Sequence, residues 1–189
     1  MRRFSALLSV VAAVLLGLVT VGGLSTAAQE ATPAATSAAT PNLTVGQLAP
    51  VGERFEALPG VDLQFLNEGQ AAAAPGQSVV LYRVILHGGE VPHHIHPGAT
   101  VLTVETGTLS WTLQAGTVSV KRPGAEPEQV TEPGTELVLN PGEGLSYNAE
   151  VVHTARAAGD EETSVLIASL FETGQPLITL TDEQGTPTS

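Results

Sequence analysis

The chain of 189 residues contains no cysteine. That excludes disulfide staples, thiolate metal ligands, a cysteine nucleophile and the lipid-bearing cysteine of a lipoprotein. Cations are scarce too: 7 Lys+Arg stand against 19 Asp+Glu, a formal net charge of −12. Arg2-Arg3 and Lys121-Arg122 are the sole basic pairs. A nucleic-acid binder needs a basic face to neutralise phosphates, so no nucleic-acid partner is expected. An excess of acid on an exported chain reports mainly on solubility. Helix has nowhere to sit in the body of the chain. Ala71–Ala74 is a fair helical run, but Pro75 stops it after one turn. No internal repeat is evident.

The one long apolar run lies at the start. Arg2-Arg3 precede Leu7–Val21, which only Ser9, Gly17 and Thr20 interrupt, and small residues around Ser25–Ala28 fit a cleavage site. Residues 1–28 therefore read as a secretory signal peptide, which places the mature protein outside the cytoplasm, secreted or in the cell envelope. The alternative is an uncleaved anchor over Ala6–Leu24, near the spanning length. With cleavage, no stable membrane span remains. Arg2-Arg3-Phe4 is a poor match to a twin-arginine signal, so the export route stays open. Residues 29–42 are Ala, Thr, Pro and Ser with almost no large apolar side chain, and read as a disordered linker. Residues 43–180 hold the fold. The polar residues 181–189 read as a flexible tail.

Turn chemistry dominates the body. Pro-Gly occurs six times, at Pro59, Pro75, Pro97, Pro123, Pro133 and Pro141. Proline presets φ and glycine supplies positive φ, the demand of a type II turn. Between the turns lie short runs rich in Val, Leu, Ile and Thr. The pattern predicts strands over Val61–Leu66, Ser78–His87, Thr100–Glu105, Thr108–Gln114 and Thr117–Lys121. Further strands are predicted over Glu136–Leu139, Gly144–Tyr147, Val151–Arg156 and Ser164–Phe171, with Leu177–Leu180 as one more. Leu109, Trp111 and Leu113 alternate with polar residues, as on a half-buried strand. Trp111 reads as core or as the wall of an apolar pocket. The fold class is all-β, a sandwich or closed barrel.

Three of the five histidines fall within Pro92-His93-His94-Ile95-His96-Pro97-Gly98. On a strand, residues two apart share a face at roughly 6–7 Å. His94 and His96 then converge while His93 points away. His153 sits alone in the apolar run Glu150–Ala155 and becomes a natural third ligand. Gly88-Gly89-Glu90-Val91-Pro92-His93-His94-Ile95-His96-Pro97-Gly98, closed by Gly107, resembles the first motif of the cupin superfamily. Asn140-Pro141-Gly142-Glu143-Gly144 leading to His153 resembles the second.

The resemblance covers residues 60–172. It implies an antiparallel double-stranded β-helix, an RmlC-like jelly-roll barrel, and a metal held by His94, His96 and His153. It also implies a homodimer. The motif glutamate falls on Thr100, and an asparagine expected after the second histidine falls on Ala157. Glu105 is no substitute, because Thr100, Leu102 and Val104 share the inward face and Glu105 points out. Three neutral imidazoles without a carboxylate suit Fe, Zn, Cu or Ni better than Mg, Ca or Mn.

Tyr82, Arg83, Thr100 and Tyr147 are the candidates to support the ligands or clamp a substrate. His87, at a strand end, reads as a surface residue. Three functions stay open: a metal-binding barrel with a small-molecule ligand, an Fe(II)-dependent dioxygenase or isomerase-like cupin, and a metal-free structural or ligand-binding barrel. No catalytic residue is assigned.

Overall fold

The computed structural model describes Phe55 and residues 57–188. The expected signal peptide, the expected linker and the first residues of the expected domain lie outside the described residues. Twelve strands follow in chain order: β1 (Val61–Gln70), β2 (Gln77–Leu86), β3 (Glu90–Ile95), β4 (Ala99–Thr106), β5 (Leu109–Ala115) and β6 (Val118–Lys121), then β7 (Glu128–Val130), β8 (Glu136–Leu139), β9 (Gly144–Tyr147), β10 (Val152–Ala157), β11 (Thr163–Glu172) and β12 (Thr179–Leu180).

They form two antiparallel sheets. One has the order β1-β2-β11-β4-β9-β6-β7 and the other β12-β3-β10-β5-β8. From β2 onward the chain passes back and forth between the sheets, save for the β6–β7 hairpin. This alternation is the jelly-roll arrangement, and it puts one face of β2, β4, β5 and β11 inside. Along β2, Ser78, Val80, Tyr82, Val84 and Leu86 are buried, while the residues between them are exposed or half-buried. Along β4, Thr100, Leu102 and Val104 are buried and Glu105 faces out, as their alternation predicts. Trp111, Leu113, Leu139 and Leu145 fill the centre. Full burial of each such side chain contributes roughly 1.5–3 kcal/mol.

Nine of the predicted strands and the short tenth are present. β3 and β7 are additional, and both have sequences that hide them. β3 carries Pro92 and two adjacent histidines, residues poor in strand signal. Its carbonyls still pair with β10 on one side and β12 on the other. β7 is a three-residue edge strand on β6, with Glu128 and Gln129 polar and Val130 alone apolar.

Five of the six Pro-Gly glycines adopt positive φ: Gly60, Gly76, Gly124, Gly134 and Gly142. Gly98 does not. It is glycine because a Cβ there would run into the Leu170 carbonyl and the Phe171 Cβ at 2.7 Å. Ala71–Ala74 closes a single turn, with the Ala74 N–H donating to Ala71 O at 2.9 Å. Residues 181–188, expected as a frayed tail, close a hydrogen-bonded turn instead. Asp182 accepts from the Gln184 and Thr186 N–H groups, and Thr181 bridges to Pro187.

Candidate metal centre

The centre is assembled on one sheet. His94 lies on β3 and is the register partner of His153 on the neighbouring strand β10. His96 follows β3 immediately, one pleat further on the same inward face. All three imidazoles are buried. Their ring centroids lie 4.1 Å (His94–His153), 5.2 Å (His94–His96) and 5.4 Å (His96–His153) apart. One ring nitrogen from each falls within 4.8 Å of the other two. His93 points the other way and is half-buried.

Each ring is oriented by a backbone carbonyl. His94 Nδ1 donates to Pro92 O at 2.7 Å, His96 Nδ1 to Leu177 O at 3.0 Å and His153 Nδ1 to Val151 O at 2.9 Å. A carbonyl only accepts, so every Nδ1 carries the proton and every Nε2 keeps its lone pair. This is how metal-binding histidines are commonly held, with the second nitrogen fixing tautomer and ring plane. Burial lowers the basicity of all three. His94 is pushed down to about 4 and His96 to about 3 by desolvation, and His153 falls well below the ordinary histidine range for the same reason. The rings are thus neutral and available as ligands at neutral pH.

Two tyrosines from the opposite sheet complete the inner layer. The Tyr147 hydroxyl lies 3.4 Å from His153 Nε2, a long contact that a metal on that nitrogen would displace. The Tyr82 hydroxyl lies 3.4 Å from His96 Nδ1, a second acceptor for that N–H. Burial raises the pKa of both phenols well above their ordinary value, so both stay protonated.

Thr100 sits at the motif-glutamate position, inward and buried, but its hydroxyl bonds Ser169 Oγ at 3.0 Å and Gly98 O at 3.5 Å rather than an imidazole. Of its two possible orientations Arg83 takes the outward one, gripping Glu105 and Gln64, so it clamps nothing in the barrel. Its neighbours on β2 explain this, because Tyr82 and Val84 take the inward positions of the alternation. His87 is a surface residue between Asp62 (3.1 Å) and Glu162 (3.0 Å).

Sequence reasoning missed two features. Trp111 stacks directly on His153, with centroids 4.6 Å apart at 25°. Glu150 is the one described non-glycine residue with positive φ (68°), and its N–H donates to His96 O at 3.4 Å. It ties the loop before β10 to the end of β3, and backbone held in that region is a feature of functional sites. Register pairing of Trp111 with Ala155 would have signalled the first; nothing in Asn148–Glu150 signals the second.

Beside the histidines lies a small cavity of about 40 Å³. Apart from the histidines and tyrosines its lining is apolar, with Trp111, Leu102 and Ile167 as examples, and among the described residues it holds no carboxylate. Phe55 closes one part of the wall.

No family model matches the chain, and no curated protein does. Among solved structures it is similar to an oxalate oxidase in complex with glycolate, at 19% identity and TM-score 0.43, covering 71% of this chain and 59% of that one. It is also similar to a putative mannose-6-phosphate isomerase from Ralstonia eutropha JMP134, at 18% identity and TM-score 0.40, covering 65% and 96%. A third is a mutant salicylate 1,2-dioxygenase from Pseudoaminobacter salicylatoxidans, at 15% identity and TM-score 0.38, covering 59% and 26%. The chain thus spans little more than half the length of the oxalate oxidase. Two antiparallel sheets with strands alternating between them make the fold an antiparallel jelly-roll barrel, with inward histidines at β3 and β10.

Proposed function

We propose that the protein is an exported barrel that binds one divalent transition metal through Nε2 of His94, His96 and His153, with a small molecule in the adjoining cavity. One observation carries the reading: three buried neutral imidazoles each spend Nδ1 on a backbone carbonyl and turn the free nitrogen inward. The donor set fits Fe(II), Zn, Cu or Ni, since imidazole is a borderline ligand and no carboxylate is at hand. When bound, the metal would supply a Lewis acid with open positions toward the cavity. The chain's own part is to hold the rings, keep the site dry and leave two protonated phenols beside it. Export is supported by the N-terminal apolar run behind Arg2-Arg3. Among the described residues no helix is long and apolar enough to cross a membrane. A homodimer is proposed on the cupin fold alone.

The apolar cavity favours an Fe(II) dioxygenase as second reading, because dioxygen needs a dry pocket at an open metal. Binding without turnover ranks first, because among the described residues no carboxylate lines the cavity to act as acid or base.

Elemental analysis of the chain from Gln29, purified without a histidine tag, tests this beside a His94→Ala/His96→Ala double variant. The expected result is one equivalent of Fe, Zn, Cu or Ni, lost in the variant. No metal after reconstitution with each ion would refute the site. Oxygen uptake by the Fe(II) form with small carboxylic acids would move the second reading to first.

A further inference from the structure

Trp111 holds a group that the metal reading leaves unused. Its side chain is 1% exposed, yet its Nε1 has no hydrogen-bond partner among the described residues. Buried indoles usually find one, and an orphaned donor carries a desolvation cost. The indole lines the cavity and lies against His153, one of the three histidines whose free nitrogens converge. Indole N–H is a donor only. Whatever satisfies it must accept, which a metal ion does not.

The charge balance narrows the acceptor further. A divalent ion on three neutral imidazoles keeps its full charge, and among the described residues no carboxylate lines the cavity to offset it. In so dry a setting an anion at the open positions is strongly favoured. The cavity is small, so the anion must be small as well.

We propose that Trp111 Nε1 is the anchor of a ligand subsite: it donates to a small monoanion bound at the open side of the metal. The inference rests on the three-histidine reading and deepens it. The indole both packs against His153 and reads the second acceptor atom of the anion. Neutral molecules of the same size lack the charge that offsets the metal and bind less well.

Trp111 is the only tryptophan, so the protein has a single indole N–H resonance. The experiment loads the ¹⁵N-labelled chain with Zn(II) and titrates azide, with formate as a second anion. The indole proton is expected to move downfield saturably, with the dissociation constant found by calorimetry. Trp111→Phe keeps the ring but loses the N–H. It is expected to retain one zinc and to weaken azide at least about tenfold, the size of a hydrogen bond to a charged group.

If that variant fails to fold, replacing the single tryptophan with its sulfur-for-NH analogue during expression makes the same comparison. Azide that binds the zinc form without moving the resonance, or with equal affinity for the variant, overturns the assignment. So does a zinc form that binds neither anion. Failure of zinc to bind the unmodified chain overturns the metal site itself, and elemental analysis separates that result from the others.

Discussion

Lowering the pH of the metal-free protein tests the burial of the three histidines directly. In the unfolded chain an imidazole protonates below about 6.5. In the folded barrel His94 resists protonation to about 4 and His96 to about 3, and His153 is held well below its ordinary range, all by desolvation. Between these limits the unfolded chain binds more protons than the native one, so stability falls as pH falls. At pH 4.5, two units below the unfolded value, a ring that stays neutral costs at most about 3 kcal/mol at 1.36 kcal/mol per unit. The three rings together cost several kcal/mol, a large share of the stability of an ordinary domain, about 5–15 kcal/mol.

Urea unfolding in the presence of a chelator, at steps from pH 7.5 to 4.5, measures the loss. The window stops at 4.5 because Glu105, whose pKa its hydrogen bonds with Arg83 hold down, adds its own loss only below that point. A His94→Gln/His96→Gln/His153→Gln variant is expected to be nearly flat over the same range. A change of less than about 2 kcal/mol in the unmodified chain would refute the claim that all three rings are buried and neutral.

Other changes probe the frame around the site. Gly107→Ala places a Cβ at φ 70° against the Glu162 carbonyl and 2.6 Å from Thr163 Oγ1. It is expected to cost about 1–3 kcal/mol of strain, read as a lower urea midpoint. Arg83→Ala breaks an outward ion pair, and is expected to cost no more than about 1 kcal/mol while leaving metal content unchanged. A loss of metal in that variant would contradict its outward placement. Leu113→Ala empties part of the core next to His153 and is expected to cost about 2–5 kcal/mol in urea unfolding.

Most of the barrel was legible because its strands alternate cleanly and its turns are written in Pro-Gly. The histidine trio was legible for a related reason: His-x-His keeps both rings on one face of any extended segment, and His153 stands alone in an apolar run. β3 itself was not, because Pro92 and the histidines mask a strand whose pairing comes from its neighbours. The phase of Arg83, inward clamp or outward surface residue, was not legible, because Val79–Leu86 is apolar at almost every position. Burial of Tyr82 and Val84 settles that phase only in three dimensions. The orphaned Trp111 N–H was out of reach of any sequence pattern, since lacking a partner is a property of all the surroundings at once.

The direct register of His94 opposite His153 has a consequence for how the chain folds. A slip of one residue between β3 and β10 would turn His153 to the outer face and leave two nitrogens where three converge. An ion that needs all three would bind only the barrel with its strands correctly aligned, and binding to that state alone pulls the population toward it. The metal would then serve as a proofreader of strand alignment, rewarding one pairing of two distant segments and none of its near misses.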